Sequence, residues 1–106
     1  VHLYGYPCDL PSIQHLIKNK NIRIVEDCAQ SFGSSVADKK TGTIGEVGCY
    51  SFYPSKNLGC YGDGGMMVTS SDKVYKKLTA LKNHGSTEKY QHDILGFNSR
   101  LDEMGV

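Results

Sequence analysis

The chain carries no strong charge of either sign, no long apolar run and no paired-cysteine motif, and each absence removes a class of function. A formal net charge of +1 over 106 residues is too weak to attract nucleic acid or an anionic membrane surface. No apolar run approaches the roughly 18 residues that a membrane-crossing helix needs. Residues 1–6 have neither the basic region nor the apolar stretch of a signal peptide. Cys8, Cys28, Cys49 and Cys60 stand 20, 21 and 11 apart, which matches neither a redox Cys-x-x-Cys pair nor the short paired spacings of a zinc site. Among His2, His15, His84 and His92, only the last two, eight apart, have ligand-like spacing, so no metal site is expected. The thiols are expected to be free, in a cytoplasmic setting. The chain has no initiator Met, opens on strand-like residues and stops at Glu103-Met104-Gly105-Val106 in what reads as an unfinished helix. Both ends are therefore expected to continue into a longer protein.

What is present is ordinary globular material, 39% hydrophobic and 22% charged, with an α/β pattern. Residues 1–6 read as a short strand ending at Pro7. Asp9 then caps a helix that tolerates Pro11 in its first turn and places Ile13, Leu16 and Ile17 on one face. Residues 22–26, rich in β-branched side chains, read as a buried strand. Strand, helix and strand in this order predict a βαβ unit, hence a parallel sheet with a right-handed crossover. Residues 31–46 read as loop or hairpin, 48–53 as a strand, 54–65 as a glycine-rich loop and 66–69 as another strand. Ser70 or Ser71 caps a helix running to about Asn83, with Val74, Leu78 and Leu81 on one face. Residues 84–98 are polar and read as irregular, and Ser99 caps a last helix with Glu103 near a capping-box position. Ligands of open α/β sheets sit beyond the carboxyl ends of the strands. Asp27 follows one predicted strand and Lys56 another, so a carboxylate and an amine are expected at one crevice.

Several motifs follow one another without large gaps: Val25-Glu26-Asp27-Cys28-Ala29-Gln30, then Ser51-Phe52-Tyr53-Pro54-Ser55-Lys56-Asn57-Leu58-Gly59, then Gly62-Asp63-Gly64-Gly65, Asn83-His84-Gly85 and Gly96-Phe97-Asn98-Ser99-Arg100-Leu101-Asp102-Glu103. The glycine run at 62–65 lacks phosphate-loop spacing and reads as a tight turn. In series these segments resemble the DegT/DnrJ-type nucleotide-sugar aminotransferases among the fold type I pyridoxal-phosphate enzymes. The resemblance implies an α/β fold: part of the large, cofactor-binding domain, with a mixed, mostly parallel sheet and flanking helices across residues 1–106. The upstream segment that cradles the phosphate at a helix N-terminus, the aromatic residue that stacks on the ring, and the carboxy-terminal small domain of that family are not in these residues.

The resemblance also assigns roles. Lys56 matches the family lysine that forms a Schiff base with pyridoxal 5′-phosphate and afterwards shuttles a proton. A lysine amine needs help from its surroundings to act as a nucleophile at neutral pH. Asp27 matches the carboxylate that pairs with the pyridine nitrogen and keeps the ring an electron sink. Gln30 matches a contact near the phenolic oxygen, and Ser51 a hydroxyl that binds the phosphate. Asn98 matches a residue that reaches the cofactor phosphate of a neighbouring subunit, which implies a homodimer with a shared active site. The bland readings stand beside these: a surface lysine, a turn aspartate, a loop amide, a strand serine and a turn asparagine. The implied reaction moves an amino group, usually from glutamate, onto a keto carbon of a nucleotide-linked sugar. Sugar dehydratases of the family carry histidine in place of the lysine, so Lys56 favours transamination. A noncatalytic or regulatory relative is the alternative. The isolated segment is expected to bind the cofactor weakly or not at all. The identity of the sugar, the carbon aminated and the nucleotide carrier are not encoded in these motifs.

Overall fold

In the computed structural model, which describes residues 1–101 and 103, the chain runs through a 3-10 turn (Leu3–Gly5), α1 (Leu10–Ile17), β1 (Val25–Asp27), β2 (Ser35–Val36), β3 (Lys39–Lys40), β4 (Val47–Ser51), β5 (Gly65–Val68), α2 (Asp72–Lys82), β6 (Ser86–Glu88) and β7 (Gln91–His92). Three strands form a mixed sheet in the order β1-β4-β5. β1 lies parallel to β4, with Val25, Glu26 and Asp27 opposite Val47, Gly48 and Cys49. β4 runs antiparallel to β5. The α/β class and the mixed sheet agree with expectation.

The first strand does not. Residues 1–6 turn instead, with Tyr4 at φ 55° and Gly5 at φ 79° in the left-handed region. A single backbone hydrogen bond, from His2 N to Asp27 O at 3.0 Å, ties them to β1. No βαβ unit therefore forms around α1. The parallel partner of β1 is β4, and the connection between them is the excursion 28–46, which folds into the antiparallel β2–β3 hairpin. β1 also starts later than expected, because Ile22 N turns back onto Lys20 O at 2.8 Å. The 48–53 strand stops at Ser51, whose hydroxyl accepts from Tyr53 N at 3.3 Å. That turn removes the shared side that strict alternation gives Ser51 and Tyr53.

Both helix caps form as the sequence predicts. The Asp9 carboxylate accepts from Ser12 N at 3.1 Å, and the Ser71 hydroxyl accepts from Val74 N at 3.4 Å. In α2, Val74, Leu78 and Leu81 are half-buried and Ala80 is buried. In α1, Leu10 is buried, whereas Ile13 and Leu16 are exposed. The polar 84–98 stretch holds a small hairpin, β6–β7, where irregular chain is expected. The last helix expected after Ser99 falls largely outside the described residues, and Glu103 lies in a turn.

The interior is unusual in content. Leu10, Cys28, Val47 and Ala80 share it with buried His2, Glu26, Ser31 and Thr41. A buried polar group requires partners, and those partners organise the face of the sheet opposite the candidate site.

Candidate functional site

Alternation along parallel strands sends neighbouring side chains to opposite faces. The register of β1 on β4 puts Asp27, Cys49 and Ser51 on one face and Glu26, Gly48 and Tyr50 on the other. Asp27 is the last residue of β1 and is exposed. Its carboxylate accepts from Ala29 N at 3.1 Å, a local turn that ends the strand. Cys28 N continues the ladder to Cys49 O at 2.8 Å. Ser51 ends β4 on the same face. Five residues further, half-buried Lys56 closes a turn through its own N–H to Tyr53 O at 2.8 Å.

Lys56 lines a cleft of about 380 Å³ together with Tyr4, Gln30, Phe32, Ser34 and Asn57. The Gln30 side-chain oxygen accepts from Tyr4 N at 2.8 Å, which leaves its amide nitrogen as the donor end. The structure thus brings Gln30 and Lys56 to one cleft. Asp27 and Ser51 lie on one face at the carboxyl ends of two adjacent parallel strands, Ser51 two residues beyond Cys49 opposite Asp27, outside the residues that wall that cleft. Asn98 joins neither group. It is exposed, bridges to Asn83, and borders a separate depression with Arg100, Leu101 and Glu103.

Behind Asp27 lies a group of residues that reading the sequence did not single out. The Glu26 carboxylate is 2% exposed and accepts four hydrogen bonds: Gly42 N at 2.7 Å, Ile44 N at 2.7 Å, Gly45 N at 2.5 Å and the His2 ring nitrogen Nε2 at 3.0 Å. His2, 1% exposed, takes Cys8 N on Nδ1 at 3.1 Å. A ring that accepts on Nδ1 and donates from Nε2 is the neutral tautomer. Burial pushes the Glu26 carboxyl pKa up, but the Gly45, Gly42 and Ile44 amides together with His2 outweigh it and hold the carboxyl below its usual range. His2, Glu26 and Cys28 lie close enough together to suggest a metal trio. Both imidazole nitrogens and both carboxylate oxygens are already engaged, however, so the trio is a hydrogen-bond network. The only sequence hint was the Glu26-Asp27 pair itself, since alternation must turn one of two adjacent acids inward.

Burial pushes the thiols of Cys28 and Cys49 above their usual range, with Asp27 adding to the effect. They are poor nucleophiles. The chemistry available here therefore rests on an amine and a primary amide in one cleft, and on a carboxylate and a hydroxyl at the carboxyl ends of two parallel strands.

The model of the DegT/DnrJ/EryC1/StrS aminotransferase family matches residues 1–105. A UDP-N-acetyl-3-dehydro-α-D-glucosamine 3-aminotransferase from Acidithiobacillus ferrooxidans is 53% identical over 104 residues, which is 98% of this chain and 28% of the relative. A pleiotropic regulatory protein of Geobacillus stearothermophilus is 46% identical, over 98% of this chain and 28% of its own length. Among solved structures, S. venezuelae DesV in complex with a ketimine intermediate superimposes with a TM-score of 0.91 at 46% identity, again over 98% of this chain and 28% of the other. The chain spans about 28% of the length of the curated relatives it matches. On the match of its residues 1–105, the chain belongs to the DegT/DnrJ/EryC1/StrS aminotransferase family.

Proposed function

We propose that this chain is the central part of the large domain of a longer pyridoxal-phosphate-dependent aminotransferase that acts on a nucleotide-linked keto sugar. The observation that carries the proposal is the placement of Lys56 in a polar cleft next to Gln30, with Asp27 and Ser51 at neighbouring strand ends. The phosphate cradle and the small domain belong to the remainder of that enzyme. Extensive exposed apolar surface supports the same view, since Tyr4, Tyr61 and Leu95 are each more than 85% exposed and surface of this kind marks interfaces.

The residues fit the cofactor. When bound, pyridoxal phosphate supplies an electron sink for the carbon being deprotonated. Lys56 would hold the cofactor's aldehyde carbon and would move a proton at its Nζ. Asp27, exposed and with one carboxylate oxygen occupied by Ala29 N, would hold a proton on the ring nitrogen. Gln30 would donate from its amide nitrogen toward the ring oxygen, and Ser51 would donate its hydroxyl to the phosphate. Glutamate is the proposed amino donor. Asn98 lies apart from the Lys56 cleft and is exposed, which supports its serving the partner's site in a homodimer. Cys8, Cys28, Cys49 and Cys60 are all free, in keeping with a cytoplasmic protein.

The test uses the full-length protein. Borohydride reduction in the presence of pyridoxal phosphate, followed by peptide mass analysis, should place the adduct on Lys56, and Lys56→Ala should abolish it. An adduct on another lysine, or none, refutes the reading. A regulatory role is the second reading, favoured by the 46% identity to a pleiotropic regulatory protein. Conversion of bound pyridoxal phosphate to its amine form on adding glutamate, with release of 2-oxoglutarate, separates the two. The isolated 106-residue chain should show no stable visible band.

A further inference from the structure

One residue outside the proposed contacts is hydrogen-bonded to both acidic residues of β1. His2 N donates to Asp27 O at 3.0 Å, while its ring donates to Glu26 at 3.0 Å. It therefore holds the backbone of the residue that presents the carboxylate and the side chain of the residue before it. Two positions later, Tyr4 N fixes the Gln30 side chain at 2.8 Å. Tyr4 and Gly5 both lie in the left-handed region, at φ 55° and 79°, a conformation that a tyrosine adopts only when its surroundings impose it. The Tyr4 side chain is 87% exposed, so its own packing does not impose that conformation. Backbone anchors do: His2 on one side, and on the other the bond from the Ser34 hydroxyl to Gly5 O at 2.7 Å.

We propose that His2 is a positioning residue of the cofactor site, setting Asp27 through its backbone N–H and Gln30 through the constrained Tyr4-Gly5 turn. The proposal rests on the reading of Asp27 and Gln30 as cofactor contacts, and it adds the residue that registers the two against each other. The neutral ring is suited to this role, because it accepts from Cys8 N and donates to Glu26 at once.

The experiment compares the full-length wild type with His2→Phe, which keeps a ring but loses both ring hydrogen bonds, and His2→Gln, which keeps a donor toward Glu26. The first readout is amide hydrogen exchange without cofactor. In His2→Phe, exchange at residues 3–5 and 28–31 should rise about tenfold or more, as expected for a local opening made easier by the lost ring hydrogen bonds, while residues 72–82 stay as in wild type. The second readout is titration with pyridoxal phosphate, followed by the visible band. His2→Phe should weaken binding about tenfold and move the pH midpoint of the band, and His2→Gln should recover part of both. Exchange unchanged at 3–5 and 28–31, or raised equally at 72–82, overturns the proposal, because His2 would then be idle or only a general stabiliser. Exchange altered as expected with binding and band unmoved overturns it as well. If the wild type takes up no pyridoxal phosphate, the functional reading fails, and the exchange result alone decides whether His2 positions Asp27 and Gln30.

Discussion

Replacing Glu26 by Gln keeps the side-chain shape and changes only which of its two terminal atoms can accept. In the native structure, Gly42 N and His2 Nε2 donate to one carboxylate oxygen, and Ile44 N and Gly45 N donate to the other. An amide presents one oxygen and one NH2 group, so in either orientation two donors face another donor. His2 cannot escape by switching tautomer, because its Nδ1 would then confront Cys8 N–H. Each of the two buried donors left unsatisfied costs about 1–3 kcal/mol. The expected loss is therefore about 2–6 kcal/mol, a large share of the 5–15 kcal/mol typical of a whole protein. Equilibrium urea denaturation of the full-length protein measures it as a lowered midpoint at unchanged slope. Glu46→Gln is the control. Glu46 pairs with Arg23, whose side chain is 70% exposed, and a pair of that kind contributes at most about 1 kcal/mol. A Glu26→Gln loss no larger than that of Glu46→Gln would refute the account of a desolvated carboxylate.

Two further outcomes follow from the same network. Gly42 and Gly48 pack backbone to backbone, and a Cβ on Gly48 would run into the Gly42 Cα and carbonyl. Gly48→Ala should therefore lift Gly42 N off Glu26 and cost at least about 3 kcal/mol from overpacking plus a lost charge-assisted bond, read as a lowered urea midpoint; a change under about 1 kcal/mol would contradict the close approach. The Glu26 carboxyl is held below its ordinary value of 4.5 in the folded protein, so its contribution is present above that pH and is lost as pH falls through the lower folded value. Stability should drop on acidification below about pH 4.5, and Glu26→Gln should flatten that part of the profile; equal slopes in both proteins would refute it.

The sequence was legible where structure is local. Asp9 and Ser71 announce their helices because a cap and its N–H partner lie three residues apart. β4 and β5 were found to within one or two residues, as was the placement of Asp27 and Lys56 after strands. Residues 1–6 deceived because their apolar run mimics a strand, whereas Tyr4 and Gly5 turn the chain for reasons that lie at Asp27 and Gln30, more than twenty residues away. Residues 84–98 hide a hairpin because their polar composition lacks the alternation that marks a strand, and Tyr90 rather than glycine takes the positive φ of its turn. Glu26 escaped notice for a similar cause. Its four donors come from residues 2, 42, 44 and 45, and no short-range pattern links them. Asn98 was read from resemblance, and a single chain does not bring it to the Lys56 cleft.

The adjacency of Glu26 and Asp27 has a consequence for how this segment tolerates changes of length. Side chains in β1 alternate strictly, so inserting or deleting one residue within Val25–Asp27 would reverse the phase of the strand. The acid now enclosed by amides would be turned outward, and the acid now offered at the strand end would be driven into a nest of donors one methylene too far from it. The same change among residues 18–22, where the chain is turning and exposed, leaves that phase intact. Length variation is therefore permitted before β1 and forbidden inside it, although both stretches lie within ten residues of the same aspartate.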